Sequence, residues 1–253
     1  MKVSIITVAL NSAEYIEDCI QSVVSQNYKN IEYIVIDGGS TDGTIEIIKK
    51  YEVEIAKWIS EPDRGIYDAM NKGLSLATGD IIGILNADDY YSHKDVLNNV
   101  VNIMSRYGTN SCYGNLLYVK KSNTDKVHRY WQAGPYKASN FYKGWMPPHP
   151  TFFVRTKIYD LYGHFNLTLG TSADYELMLR FFLKHKINTA YIPGILVKMR
   201  MGGKSNVSLR NRIAANRMDR LAWKINGLTP NPLTLWLKPL RKIFQFFPRV
   251  HQS

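Results

Sequence analysis

Asp88 and Asp89 stand side by side at the end of an apolar run, in GDIIGILNADDYY. Adjacent carboxylates repel unless a proton, a cationic side chain or a metal neutralises them, and hard oxygen ligands with no Cys or His beside them suit Mg²⁺ or Mn²⁺. The plain alternative is a solvated acidic turn. Asp37 closes the apolar run IEYIVI and opens DGGSTDGT. A strand-end carboxylate there can accept hydrogen bonds from a base N–H or from ribose hydroxyls. Its glycine-rich loop lacks both GxGxxG spacing and a Walker lysine, so as a phosphate cradle it is weak. SEPDRGIYDAMNKG gathers Asp63, Arg64, Asp68 and Lys72 at a helix start. Arg64 and Lys72 could neutralise a diphosphate, or they could simply solvate a helix face. His149 stands between prolines in PPHP, which fixes its backbone and presents the ring. TSADYELMLRFFLKH contains Asp174 at the start of a helix whose apolar face is Leu177, Met178, Phe181 and Phe182. On position alone it could be an N-terminal cap.

The elements that must position these groups alternate. Apolar runs at 3–10, 31–36, 55–59 and 81–85 read as buried strands, and helical patterns at 13–25, 44–51 and 66–77 separate them. That alternation predicts an α/β fold with a mostly parallel sheet and helices on both faces, in which ligands sit beyond the carboxyl ends of the strands. Thr7 to Leu10, Asp37, Asp88 and Asp89 all fall at those ends. A late strand at 195–200 leads into the basic loop MGGKS, where Arg200 or Lys204 could fold over a donor diphosphate.

The chain has 253 residues and 45% apolar content, enough for a large core without staples. Cys19 and Cys112 are far apart with no CxxC spacing, which predicts buried free thiols in a reducing compartment. MKVSIITVAL is too short and strand-like for a signal peptide, and no apolar run approaches the roughly 20 residues of a membrane span. The expected location is the cytoplasm, peripheral to the inner face of the membrane. Charge is uneven. Of 32 Lys+Arg and 21 Asp+Glu, residues 198–253 hold 12 and one (Asp219), leaving 20 and 20 before them, so the whole +11 lies in the tail. There Trp236, Leu237, Leu240, Ile243, Phe244 and Phe247 cluster on one helical face, with Lys238, Arg241, Lys242, Gln245 and Arg249 on the other, provided Pro239 is accommodated near the first turn. Such a basic amphipathic helix suits an anionic membrane surface, with packing on the protein itself as the rival. No motif for nucleic acid accompanies the charge, so no nucleic-acid partner is expected.

Taken in order, SIITVALNSAEYIEDCIQSVVSQ, IEYIVIDGGSTDGT, SEPDRGIYDAMNKG and GDIIGILNADDYY resemble family 2 glycosyltransferases of the GT-A fold, particularly bacterial enzymes of surface-polysaccharide assembly. The resemblance covers residues 1 to about 203 and implies a catalytic domain there, with a nucleotide-sugar half to 110, an acceptor half from 111 and a basic helical tail from 204. It implies a metal-dependent inverting transfer from a nucleoside-diphosphate sugar, UDP by frequency, to a saccharide or lipid-linked saccharide. By motif, Thr7, Val8 and Ala9 would line the nucleoside pocket and Asp37 would bind the base. Asp88 would be the main ligand of Mn²⁺ or Mg²⁺ with Asp89 supporting it, and His149 would lie on the acceptor side. Asp174 would be the base, with Glu176 as the substitute. Asn86 stands where the family often has Asp, so an amide must make that contact, and no His follows the late strand as a third ligand.

Three rival classes are weighed. A phosphatase using Asp37 as nucleophile needs an acid at position 39, which is Gly39. A GT-A-fold module that binds nucleotide-sugar without catalysis would keep the same motifs, and a nucleotidylyltransferase would need a glycine-rich loop after the first strand.

Overall fold

The computed structural model describes residues 1–202 and 209–246. Its first half alternates β1 (Val3–Ala9), α1 (Ile16–Val24), β2 (Ile31–Asp37), α2 (Thr44–Lys50), β3 (Lys57–Ser60), α3 (Ile66–Leu76) and β4 (Ile81–Asn86). The helical returns bring each strand back in the same direction, and the four pair in parallel in the order β3-β2-β1-β4. Two boundaries differ from expectation. The first helix begins at Ile16 because Asn11 is left-handed (φ 49°) and the Ser12 carbonyl closes a turn onto Tyr15. The third strand begins at Lys57 because residues 51–54 form a turn that leaves Ile55 as a buried plug.

The second half runs β5 (Asp89–Tyr91), α4 (Val96–Tyr107), β6 (Ser111–Lys120), β7 (Asn123–Trp131), α5 (Ala138–Phe141), β8 (Phe153–Arg155), α6 (Thr156–Tyr162), α7 (Ala173–Leu179), β9 (Thr189–Arg200), α8 (Leu209–Ile225) and α9 (Thr234–Ile243). β8 lies antiparallel between β4 and β6, β9 runs parallel to β6, and β5 closes the far edge against β9. One continuous sheet therefore carries the elements from both halves.

Alternate residues of the strands feed two cores. Ile6, Val8, Ile34, Ile36, Ile82 and Ile84 meet α3 and α7 on one face. Val3, Ile5, Val35, Ile81 and Leu85 meet α1 and α4 on the other. Each such side chain contributes about 1.5–3 kcal/mol by leaving water, which fixes the register because a one-residue slip would reverse both faces. Cys19 and Cys112 are free and buried, as their spacing suggests.

The C-terminal helices dock on the domain. Trp223 of α8 donates its indole N–H to the Tyr175 hydroxyl of α7 at 3.0 Å. α9 closes over the loop at Gly144, where an added Cβ would lie 2.4 Å from the Lys238 nitrogen. Only glycine permits that approach. Pro239 sits inside α9 rather than in its first turn. The faces of α9 are also reversed from the usual docking pattern, for Lys238 points inward to Asp219 while Trp236 and Leu240 point out. Lys204, Phe247 and Arg249 lie outside the described residues.

Candidate active site

The end of β1 sews two loops together. The Val8 carbonyl accepts the Ala87 N–H at 3.1 Å, and the Ala9 carbonyl accepts the Gly38 N–H at 2.8 Å. The motifs around Asp37 and Asp88 are thereby held side by side, as the strand-end argument requires. The side chains of Thr7, Val8 and Ala9 are themselves buried, and Thr7 Oγ1 takes the Tyr33 hydroxyl at 3.0 Å. Any contact this segment makes with a ligand runs through its backbone or its rim.

Asp37 is fully buried. Its Oδ2 accepts the Gly39 and Ser40 amides at 3.0 and 2.9 Å and the Ser60 hydroxyl at 2.7 Å, while the Ser40 hydroxyl donates to Oδ1. The carboxylate thus builds the turn that follows it. Asp63 is brought against this turn, since a Cβ on Gly38 would lie 2.4 Å from its Oδ2. Arg64 extends into solvent and pairs with Asp68 at 3.1 Å, and Lys72 pairs with Glu61 at 2.8 Å. The charge cluster of that motif resolves into ion pairs at a helix start.

The acidic loop is different. Asp89 is fully buried, Asn86 and Asp88 are half-buried, and the Asn86 amide donates to Asp89 Oδ2 at 3.3 Å. Two acceptor oxygens, Asn86 Oδ1 and Asp89 Oδ1, are buried with no hydrogen-bond partner. Leaving such atoms unmet costs about 1–3 kcal/mol each. Burial raises both carboxyls above their usual range, Asp89 the more because the Asp88 charge adds to it; Lys121 and Arg200 pull Asp88 back down. The donor set of two carboxylates and one amide carbonyl fits a hard divalent cation that completes its shell with phosphate oxygens and water. Among the described residues no cluster of three His, Cys, Asp or Glu side chains supplies a full set of ligands.

Arg200 ends β9 beside this loop. It donates to the Asp88 carbonyl at 3.1 Å, pairs with Asp18, and lies 4.8 Å from the Tyr90 ring and 5.1 Å from that of Tyr15. It forms a wall of the site, held there by its bonds to the Asp88 carbonyl and the Asp18 carboxylate. Next to it Lys121, on the β6–β7 hairpin, holds its ammonium 4.8 Å from the Tyr15 ring. Lys121, Arg200, Tyr15 and Asp18 line a cavity of about 440 Å³.

Asp174 and His149 come from the second half and lie near enough for the charge of one to act on the other. Asp174 is half-buried and accepts the Tyr175 N–H at 2.7 Å. The His149 ring packs edge-on to Phe165 at 5.5 Å; burial lowers its pKa and the Asp174 charge raises it. Tyr118 of β6 links the two carboxylate groups. Burial raises its phenol, Arg129 stacked 4.2 Å over the ring opposes this, and the charges of both Asp89 and Asp174 raise it further. Glu176 turns away. It is buried, bridged to Arg180 at 2.9 Å, and bonded to Asn226, just past α8, at 3.0 Å.

Sequence reasoning passed over Tyr118 and Lys121, because the β6–β7 hairpin that carries them has no motif. It also passed over Tyr67, whose phenol is raised by burial and then by Asp174, although Tyr67 lies within DRGIYDAMNKG.

The model of the family described as "Glycosyl transferase family 2" matches residues 4–162. An uncharacterised glycosyltransferase of Mycobacterium tuberculosis is 34% identical over 180 residues, 70% of this chain and 68% of its own length. A PGL/p-HBAD biosynthesis glycosyltransferase of Mycobacterium bovis is 27% identical over 208 residues, 80% and 78% of the two chains. In solved structures, S. aureus TarS 1-349 in complex with UDP-GlcNAc superposes with a TM-score of 0.70 at 18% identity, covering 94% of this chain and 69% of that one. The mannosyltransferase PcManGT from Pyrobaculum calidifontis, in complex with GDP-Man and Mn²⁺, gives 0.64 at 19% identity, covering 95% and 69%.

Proposed function

Because this chain belongs to glycosyl transferase family 2 and has the GT-A fold, we propose that it moves a sugar with inversion from a nucleoside-diphosphate donor, UDP-linked, to a saccharide or lipid-linked saccharide. The setting is cell-surface polysaccharide assembly at the inner face of the membrane. One observation carries the reading. Two unpartnered buried oxygens, Asn86 Oδ1 and Asp89 Oδ1, flank the half-buried Asp88 at the carboxyl end of β4.

Asp88, with Asp89 and the Asn86 carbonyl, would hold Mn²⁺ or Mg²⁺. When bound, the cation neutralises charge that develops on the leaving diphosphate. The chain's own parts do the rest. Asp37, by ordering its turn against Asp63, shapes the floor for the nucleoside. Asp174 takes the proton of the attacking hydroxyl from the opposite side of the sugar, and a single displacement there inverts the anomeric centre. His149, whose charged form burial disfavours, can hydrogen-bond an acceptor hydroxyl. Glu176 cannot serve, since its carboxylate is committed to Arg180 and Asn226.

The test is donor turnover with and without Mn²⁺ across UDP-, GDP- and dTDP-sugars, preceded by a thermal-shift screen. A nucleoside diphosphate at about 100 times its Kd adds roughly 2.7 kcal/mol to stability. Asp88→Ala is expected to abolish metal-dependent transfer and weaken diphosphate binding; full activity in that variant defeats the assignment. Donor binding with no turnover on any acceptor would favour a binding module.

A further inference from the structure

We propose that the outward faces of α8 and α9 form a docking surface for an anionic lipid bilayer. α9 is docked the wrong way round for a helix whose only partner is its own domain. Its inner side carries Leu235 and a lysine, Lys238, whose ammonium is paired with buried Asp219 at 2.7 Å and sits 3.6 Å over the Tyr175 ring. Its outer side carries Trp236 (62% exposed) and Leu240 (52%), with Leu233 (64%) just before it. Burying a tryptophan and solvating a lysine is the usual order, because the indole gains most from leaving water and the ammonium loses most. The opposite order leaves an aromatic and aliphatic ridge in need of a cover.

The charge of the C-terminal helices selects the cover. On α8 the exposed Arg217, Arg220 and Lys224 surround the exposed Leu221 and Ile225. Residues 198–253 hold 12 Lys+Arg against Asp219 alone, and Asp219 is already neutralised by Lys238. A second copy of this chain would bring like charge against like charge across the interface. A bilayer with anionic headgroups offers both what the ridge needs and what the cations need, with tryptophan at the headgroup level and basic side chains beside it. Among the described residues no helix is long and apolar enough to cross a membrane, so the contact is one of lying on the surface.

The inference rests on the membrane-side placement proposed above and not on the donor chemistry, so the two are tested apart. The experiment is flotation of the full chain on phosphatidylcholine vesicles with and without phosphatidylglycerol, in the absence of any sugar nucleotide. Binding is expected only with phosphatidylglycerol and is expected to weaken as salt rises. Trp236→Ala with Leu240→Ala should lower partitioning at least about ten-fold, and Arg217→Glu with Lys224→Glu should remove the preference for anionic lipid, both with unchanged melting temperature. Equal flotation of parent and variants, or binding indifferent to phosphatidylglycerol, overturns the proposal. So does a parent dimer in light scattering that the Trp236 and Leu240 variant splits. Vesicle binding by a protein that transfers no sugar would leave the surface standing and remove the reaction. Transfer without vesicle binding would do the reverse.

Discussion

Asp174 and Glu176 lie two residues apart on α7 and have opposite surroundings. The first is half-buried beside Tyr67 and His149, and the second is buried with Arg180 and Asn226. Asp174→Asn is therefore expected to lower kcat by at least ~10²-fold with donor affinity unchanged, as measured by single-turnover kinetics beside calorimetric donor binding. Glu176→Gln should instead act on folding. Breaking one side of a buried pair costs about 3–5 kcal/mol, so its melting temperature should fall while the folded fraction keeps its turnover. An inactive but fully stable Glu176→Gln would reverse the two roles. Both acids were visible in the sequence, and so was Arg180 four residues beyond Glu176, but the choice between them came from family resemblance, because Asn226, the other group that occupies Glu176, lies 50 positions away just past α8. The same is true of Asp37. Its motif was legible, but its donor from Ser60 lies in a strand 23 positions away.

At the level of elements, β1, β2 and β4 are also tied at the end remote from the crevice. Glu32 of β2 accepts Lys2 Nζ at 2.9 Å, the Ser4 hydroxyl at 2.5 Å, and the Thr78 amide and hydroxyl at 2.7 Å each. Burial pushes its carboxyl up, but these bonds outweigh burial and hold it at about 2. A folded pKa below the unfolded one gives stability that is present above about pH 4.5 and is lost as pH falls toward 2. The shift is worth about 3 kcal/mol in full. Denaturant unfolding of Glu32→Gln should accordingly show lower stability at neutral pH and a flatter acid limb than the parent. An unchanged acid limb would mean that Glu32 does not set it. The parallel half of the sheet could be read from alternating strands and helices, and the strand ends located Asp37 and the acidic loop. The antiparallel half was largely hidden, because β8 pairs with β4 and β6 across long sequence separations and the β6–β7 hairpin carries no motif. Tyr118 and Lys121 were hidden with it.

For the whole molecule, the sequence located the charge and left the geometry open. The excess of cations beyond residue 197 was countable, and the two faces of α9 could be drawn, but amphipathicity does not say which face docks. Asp219 and the Tyr175 ring decide it by receiving Lys238. Removing residues 229–253 would uncover the Gly144 loop and leave Asp219 buried without its cation. The truncated chain is thus expected to melt earlier by calorimetry, and Asp219→Asn should rescue part of the loss by removing the stranded charge. A truncation with unchanged melting would show that α9 adds nothing to the fold.

The two native thiols, Cys19 and Cys112, are completely buried, and burial pushes both up, Cys19 to about 12. Alkylating reagents attack the thiolate, so the parent chain should stay unlabelled while folded. A cysteine introduced on the exposed ridge, as in Leu240→Cys, then becomes the sole addressable position, and a polarity-sensitive dye attached there would report by its emission colour whether that spot sits in water or in lipid.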